Sequence, residues 1–247
     1  MSKSLKRNES VSREMQDSQF EQIIGTARSI IDKYADDGYP RGERRHPIFG
    51  YINFLVRRFI YNDVFDDISK DGCRRLSNYS IVNMNNWILK FSPNVYDVEE
   101  KFGRTVFLNN ATDPLISSYD TRCRIIDSFT EPGYVDEVNS DAEGPGIILM
   151  LPFGVGFTSS DCHTPLSLNL RGEYRSRIRQ VYDYSDVVRQ WEYRNGLLVN
   201  SITDKDESVE GNFPDFIAHL MGILFAIGRM MVENGIEWKE YTVPDND

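Results

Sequence analysis

The sequence predicts an α+β fold, with a β-sandwich-like core of short strands, an amphipathic N-terminal helix and a buried C-terminal helix. Three observations lead to this prediction. Apolar residues recur at helical spacing near the N-terminus, short β-branched and aromatic runs fill the middle, and a long apolar segment precedes the C-terminus. Helices that bracket a run of strands are typical of the α+β class. We expect an N-terminal arm and helix at residues 1–37 and a single globular domain at residues 38–247.

The N-terminal segment predicts a helix over residues ~10–36. Ser18 and Glu21 fit a capping box, and Asp36-Asp37-Gly38 ends the pattern. The apolar stripe of this helix consists of Phe20, Ile23, Ile24, Ala27, Ile30, Ile31 and Tyr34. Because the opposite face is polar, the helix needs an apolar surface to lie on, either in its own domain or on a neighbouring molecule.

The middle of the chain predicts short strands separated by turns. Helix and strand compete over Ile48–Tyr61, and Asp63–Gly72 is acidic and turn-like. The expected strands are Ile81–Phe91, Thr105–Asn109, Arg122–Phe129, Ile147–Leu151 and Leu166–Leu170. Glu131–Gly146 is predicted to be a surface loop. The apolar strand Ile147–Leu151 is expected to end at Pro152 and the glycines at 154 and 156.

A β-hairpin is the strongest local prediction. Asn195-Gly196 lies between the runs Val188–Tyr193 and Leu197–Ile202. An Asn-Gly pair between two such runs is typical of a hairpin with a type I′ turn.

The C-terminal segment Asn212–Asn234 predicts a buried helix, because apolar side chains point in almost every direction. Gly235 is expected to supply a left-handed stop. Small residues at 218, 222 and 226 form a strip at which another backbone could approach closely. The apolar run is short for a membrane span and contains His219 and Arg229, so a core helix is preferred.

Composition limits the classes of function. The 247-residue chain has a formal net charge of −10, which argues against a general nucleic-acid-binding protein. The three cysteines, Cys73, Cys123 and Cys162, form no Cys-x-x-Cys motif, so neither a disulfide framework nor a zinc site is predicted. No apolar segment follows the basic N-terminus, so no secretory signal is expected.

No catalytic or metal-binding arrangement is predicted. Asp161-Cys162-His163 places three catalytic residue types in a row, but successive side chains of a strand point apart, so a loop with a buried cysteine is the preferred interpretation. The histidines at 46, 163 and 219 lack a chelating spacing. The adjacent carboxylates Glu99 and Glu100 are interpreted as solvated charge. We therefore expect that the chain is not an enzyme and that it binds neither a metal ion nor a cofactor.

The densest basic cluster comprises Arg171, Arg175, Arg177 and Arg179. In a strand, the last three side chains would lie on one face. These side chains could hold a phosphate or nucleotide, pair with carboxylates across an interface, or be solvated. Interface pairing ranks first because the chain has a surplus of acidic residues and because arginine suits bidentate pairing.

Two segments resemble the polyhedrins of cypoviruses. Ile88–Val98 contains a strand-to-turn Phe-Ser-Pro sequence at 91–93, and Gly211–Phe216 leads into the apolar C-terminal helix, which is followed by Val243-Pro244-Asp245-Asn246. The resemblance implies a structural protein that assembles as homotrimers into a crystalline occlusion body around virus particles, in the host cytoplasm. It implies no membrane partner and no specific nucleic acid. It also implies a lattice able to hold nucleotides, for which the four-arginine cluster is the candidate.

The same resemblance implies that the N-terminal helix ties trimers together. Its assembly residues would be Phe20, Ile23, Ile24, Ile30, Ile31 and Tyr34. The family also implies dissolution in alkali, and the 13 tyrosines offer a mechanism. Tyrosine loses its proton near pH ~10, which leaves a packed assembly more negative. We hypothesise that dissolution is led by tyrosine.

Two alternatives stay open. The chain could be a soluble phosphate- or nucleotide-binding enzyme, such as a hydrolase that uses Cys162, or a cytoplasmic adaptor whose N-terminal helix docks into the groove of a partner. A depressed thiol pKa in a cleft near a histidine would favour the first alternative. A monomer with a mobile N-terminus would favour the second.

Overall fold

The computed structural model describes residues 2–36, 45–69, 91–109, 111–117, 147–158, 175–194, 197–202 and 215–241. The helices are α1 (Ser2–Asp36), α2 (Ile48–Ser69), α3 (Val98–Phe102) and α4 (Asp215–Glu233), with a 3-10 helix at Val187–Arg189. The strands are β1 (Asn94–Asp97), β2 (Phe107–Asn109), β3 (Leu115–Ser117), β4 (Ile147–Leu151), β5 (Val155–Thr158), β6 (Arg175–Asp183), β7 (Trp191–Arg194) and β8 (Leu197–Asn200). These elements confirm the predicted α+β class.

The chain forms two compact units. The helical unit combines residues 1–42 with 185–237 and contains α1, α4 and the hairpin of β7 and β8. The sheet unit combines residues 43–184 with 238–247 and contains α2, α3 and the remaining strands. The division expected from the sequence, 1–37 and 38–247, differs from these units because α4 belongs to the same unit as α1.

The sheet unit is organised around β6. This strand pairs in parallel with β4, and it pairs antiparallel with β1 along Gln180–Asp183 and with β2 along Arg175–Arg177. β5 lies between β4 and β3, so the order is β1-β6-β4-β5-β3 with β2 also on β6. The described strands therefore form one mixed sheet and one separate hairpin. Two sheets packed face to face are not seen among them.

β4 lies in the core of the sheet unit. All five of its residues are buried, which confirms the buried strand predicted from its apolar run. Gly154 ends the turn into β5 with a φ of +68°, and a Cβ there would lie 2.3 Å from Cδ1 of Trp238. Gly156 lies inside β5 instead of ending a strand, and a Cβ there would lie 2.6 Å from Cδ2 of Leu108. The expected end of the apolar strand at Pro152 is confirmed, because β4 ends at Leu151, and close packing is what requires a glycine at 156 within β5.

The helical unit is formed by α1 and α4, which pack on each other, with the hairpin packed against α4. Residues Phe20, Ile24, Ala27 and Ile31 of α1 are buried, and so are Leu220, Ile223, Leu224, Ile227 and Met231 of α4. The hairpin pairs Arg194 with Leu197, so the predicted two-residue connection is confirmed, while Asn195-Gly196 and its turn type lie outside the described residues. Gly235 follows α4 with a φ of +63°, as expected for a left-handed stop.

Several boundaries differ from the sequence predictions. α1 begins at Ser2 instead of near residue 10, so Ser18 and Glu21 lie inside the helix and the predicted capping box does not mark its start. α2 continues to Ser69, so the turn predicted over Asp63–Gly72 is wrong up to that residue. A helix that has already nucleated gains one backbone hydrogen bond per added residue, which outweighs the low propensity of aspartate. The first part of Val188–Tyr193 is a 3-10 helix, and strand β7 begins at Trp191.

Several predicted features lie outside the described residues. They are the strands Ile81–Phe91 (except Phe91), Arg122–Phe129 and Leu166–Leu170, the loop Glu131–Gly146, the three cysteines, Asp161-Cys162-His163 and Arg171. Within the described ranges, no helix is long and apolar enough to cross a membrane.

Candidate functional site

The candidate site lies along the first half of β6. Arg175, Arg177 and Arg179 alternate there with Ser176 and Ile178, and side chains two residues apart in a strand share a face. Arg175 and Arg177 are exposed, Arg179 is half-buried and Ile178 is buried. The burial pattern thus follows the alternation expected for three members of the four-arginine cluster.

A cleft forms where the chain passes from β1 to β2. The pairing of β1 with β6 ends at Asp97, opposite Gln180, and the pairing of β2 begins at Phe107, opposite Arg177. Between these points the chain leaves the sheet as α3 and turns at Gly103, which has a φ of +67°. The segment returns to β6 where the Ile178 amide donates a hydrogen bond to the Val106 carbonyl, at 3.1 Å.

This cleft has a volume of about 230 Å³ and is lined by Asp97–Glu99, Thr105 and Arg177–Arg179. Sites for drug-sized molecules usually measure about 300–1,000 Å³, so the cleft suits a smaller ligand. We call it the β6 cleft.

The residues that line the β6 cleft include two arginines, one aspartate and one glutamate. Asp97, Glu99 and Arg177 are exposed. Among the described ion pairs, none joins Arg177 to either carboxylate. The charge of Arg177 is therefore not neutralised by the acidic residues that line the cleft.

Other charged side chains near the cleft form ion pairs and hydrogen bonds outside it. Lys101 of α3 pairs with Asp183 at 2.7 Å. Arg104 pairs with Glu240 at 2.5 Å, and the same carboxylate accepts a hydrogen bond from the Phe107 amide at 3.2 Å. Arg175 donates to the Tyr241 carbonyl at 3.4 Å and does not line the cleft. Arg175 is thus a natural comparison for Arg177.

A second polar cluster in the sheet unit is buried and structural. Arg45 donates to both carboxylate oxygens of Asp113, whose side chain is 2% exposed. The guanidinium also lies 5.0 Å from the ring centroid of Trp238, and the Asn109 amide donates to Asp113 at 2.9 Å. Burial raises the pKa of Asp113, while Arg45 and the Asn109 amide act in the opposite direction. Because both carboxylate oxygens accept donors from the chain, this cluster stabilises the turn between β2 and β3.

In the helical unit, His219 is a core histidine, which agrees with the interpretation of its place in the apolar segment. Its Nδ1 lies 2.9 Å from the hydroxyl of Tyr193, and the Tyr193 ring packs on Phe20 with centroids 4.6 Å apart. Burial lowers the pKa of His219, and Asp17 acts weakly in the opposite direction. Arg229 donates to the carbonyls of Val188 and Trp191, so it also stabilises this unit.

The residues expected to assemble trimers divide into two groups. Phe20, Ile24 and Ile31 are buried in the helical unit of their own chain. Ile23, Ile30 and Tyr34 are half-exposed. In the described part of the chain, no group of three or more His, Cys, Asp or Glu side chains could hold a metal ion.

The interpretation of Glu99 and Glu100 as solvated charge agrees with the exposure of both side chains, but it did not predict that Glu99 lines the β6 cleft. Glu99 lines the cleft, whereas Glu100 is exposed and does not. The acidic residues are far from Arg177 in the sequence, and only the pairing of β1 and β2 with β6 brings them close. The one feature of the sequence that could have indicated the acidic side of the cleft is Asp97, an aspartate directly after a short β-branched and aromatic run.

Comparison with known proteins finds no matching curated protein and no matching solved structure. These comparisons offer no link to cypovirus polyhedrins, so that resemblance stays a prediction. One family model, described as a family of unknown function (DUF6710), matches residues 5–238. Because the match covers almost the whole sequence, the chain belongs to the DUF6710 family of unknown function.

Proposed function

We propose that this chain is a binding protein that holds a small ligand with a carboxylate or phosphate group in the β6 cleft. The observation that carries the proposal is that Arg177 and Arg179, two residues apart on one strand, line one open cleft. A guanidinium group donates two parallel hydrogen bonds to such an anion, which gives both affinity and orientation.

The position of these arginines on β6 supports the proposal. β6 pairs with β2 along Arg175–Arg177, with β1 along Gln180–Asp183 and with β4 on both sides of Arg179, where the register shifts, so paired residues hold the strand before and after this arginine. Ile178 is buried between the two arginines and anchors the segment. A site held on a rigid strand loses little conformational entropy when a ligand binds.

The carboxylates in the cleft set the expected strength of binding. Asp97 and Glu99 repel an anion, and this repulsion is weakened by solvent because both are exposed. We therefore expect weak binding of simple anions.

Calorimetric titration of the full chain with inorganic phosphate and with acetate tests the proposal. A hydrogen bond to a charged group contributes about 1.5–3 kcal/mol, so Arg177→Gln is expected to weaken binding by about tenfold or more. Arg175→Gln is the matched control, since it removes the same group from the same strand outside the cleft. Failure of both anions to bind, or an equal loss in both variants, would contradict the proposal.

We also propose self-assembly, the function that the resemblance to polyhedrins implies, including crystalline occlusion bodies that dissolve in alkali. The geometry of α1 favours it. Ile23 and Ile30 are half-exposed and lie seven residues apart on one face, where a neighbouring copy would pack.

Sedimentation velocity over a range of concentrations tests self-assembly, followed by powder diffraction of any particles at neutral and alkaline pH. A double substitution of Ile23 and Ile30 by serine is expected to weaken association. The control replaces Glu21 and Arg28 by serine. These two residues have the same spacing and are exposed, and replacing one acidic and one basic residue leaves the net charge unchanged. A wild-type monomer at every concentration would overturn this second proposal.

A further inference from the structure

We infer that the ligand of the β6 cleft is a small zwitterion, which carries an ammonium group close to its carboxylate, as an α-amino acid does. This inference rests on the proposed function and names the class of ligand. Its basis is that the cleft holds charges of both signs within about 230 Å³.

The Asp97 carboxylate is available to a ligand. Asp97 occupies the N-cap position of α3, where an aspartate side chain usually accepts a backbone hydrogen bond from the first turn. Here the side chain makes no capping hydrogen bond, although the backbone is extended at a φ of −70° and a ψ of 149°. The carboxylate is exposed and lines the cleft instead.

Glu99 adds a second negative charge from the first turn of α3. Its side chain is exposed and makes no hydrogen bond or ion pair with the residues that the structure describes. Lys101 and Arg104, the nearest cations in the sequence, pair instead with Asp183 and Glu240. Neither pairing neutralises the carboxylates of the cleft.

Charges of both signs select against simple ions. A pure anion gains from Arg177 but is repelled by Asp97 and Glu99, and a pure cation meets the opposite balance. A molecule with both groups satisfies both sets of side chains at once. The volume of the cleft admits a ligand of amino-acid size, in which the two charged groups are necessarily close together.

Three probes of matched shape test this inference in calorimetric titrations of the full chain at neutral pH. They are L-alanine, propionate, which lacks the ammonium group, and ethylamine, which lacks the carboxylate. L-Alanine is expected to bind about tenfold more tightly than either, because one further charged contact is made in each comparison. The double variant Asp97→Asn, Glu99→Gln is expected to remove the preference of L-alanine over propionate. Glu100→Gln, the exposed neighbour outside the cleft, is expected to keep it.

The outcomes separate the inference from the function on which it rests. If propionate binds the wild-type chain as tightly as L-alanine, and Arg177→Gln weakens it, the anion site stands and the zwitterion inference is overturned. The inference is also overturned if the double variant keeps the full preference for L-alanine. If none of the three probes binds while inorganic phosphate does, the zwitterion inference falls and the anion site stands; if phosphate does not bind either, both fall.

Discussion

Tyr193 of β7 packs directly on Gly222 of α4. A Cβ at Gly222 would lie 2.4 Å from Cδ2 and 2.7 Å from Cγ of the tyrosine ring. The ring is held from two other directions, because its hydroxyl bonds to His219 and its face packs on Phe20 of α1. The small residue expected to admit a second backbone thus admits an aromatic ring, on which both helices and the hairpin of the helical unit meet.

Gly222→Ala is therefore expected to lower the free energy of unfolding by about 1–3 kcal/mol, the usual range for overpacking. Relief by movement of Tyr193 is costly because the atoms in contact, Cδ2, Cγ and Cβ, lie near the base of its side chain and not at its far end. Gly25→Ala in α1 is the control, since a Cβ there meets nothing within 4 Å and is expected to add about 0.5–1 kcal/mol. Urea denaturation measures both variants, and equal stabilisation by both would refute the packing described.

Asp113→Asn is expected to lower the free energy of unfolding by about 3–5 kcal/mol, because the substitution leaves the Arg45 charge buried without its counter-ion. The side chain of Arg45 is only 9% exposed. Arg194→Gln removes a partner from the ion pair with Glu192, in which Arg194 is 56% exposed, and should cost less than about 1 kcal/mol. Thermal or urea unfolding distinguishes the two, and losses of similar size would argue against a buried pair.

Acid is expected to destabilise the helical unit through His219. Burial lowers the pKa of His219 from its usual 6.5, so the unfolded chain binds a proton that the folded unit does not bind. The free energy of unfolding should therefore fall as the pH falls below about 6.5. His219→Gln, which keeps an amide beside Tyr193, should reduce this dependence.

His46 provides the comparison in the sheet unit, because burial lowers its pKa too. His46→Gln should remove a separate share of the same pH dependence. Stability measured by urea denaturation between pH ~5 and ~7 tests both variants. An unchanged slope in the His219 variant would show that this histidine is not buried as described.

Alkali is expected to destabilise the sheet unit through Tyr184. Burial, with a smaller effect of Tyr182, raises the pKa of Tyr184 above its usual 10.0. The unfolded chain loses this phenol proton first, so stability is full below pH ~10 and falls as the pH rises further. Tyr184→Phe should flatten the dependence. Equal slopes for wild type and Tyr184→Phe would contradict this. In the self-assembly proposal, a buried tyrosine would then contribute to alkaline release.

Local patterns predicted much of the fold. The hairpin followed from Asn195-Gly196 between two apolar runs, and β4 followed from five consecutive apolar residues. The apolar segment before Gly235 gave α4. Each of these elements is decided by side chains near in sequence, so the prediction needed no tertiary contact.

The parts that depend on distant contacts could not be predicted. The need for a glycine at 156 within β5 is explained only by the crowding of Leu108 and Leu115 around it. The alternation of Arg175, Arg177 and Arg179 was visible in the sequence, but the register that sets Phe107 opposite Arg177 was not. Half of the β6 cleft was therefore predictable, and its acidic half was not.

The most direct test of the β6 cleft is an NMR titration of the ¹⁵N-labelled full chain with inorganic phosphate, which follows the arginine Nε–Hε signals. The signals of Arg177 and Arg179 are expected to shift together and to reach saturation, while that of Arg175 stays in place. No saturable shift at Arg177, or the same shift at all three arginines, would contradict an anion site in the cleft.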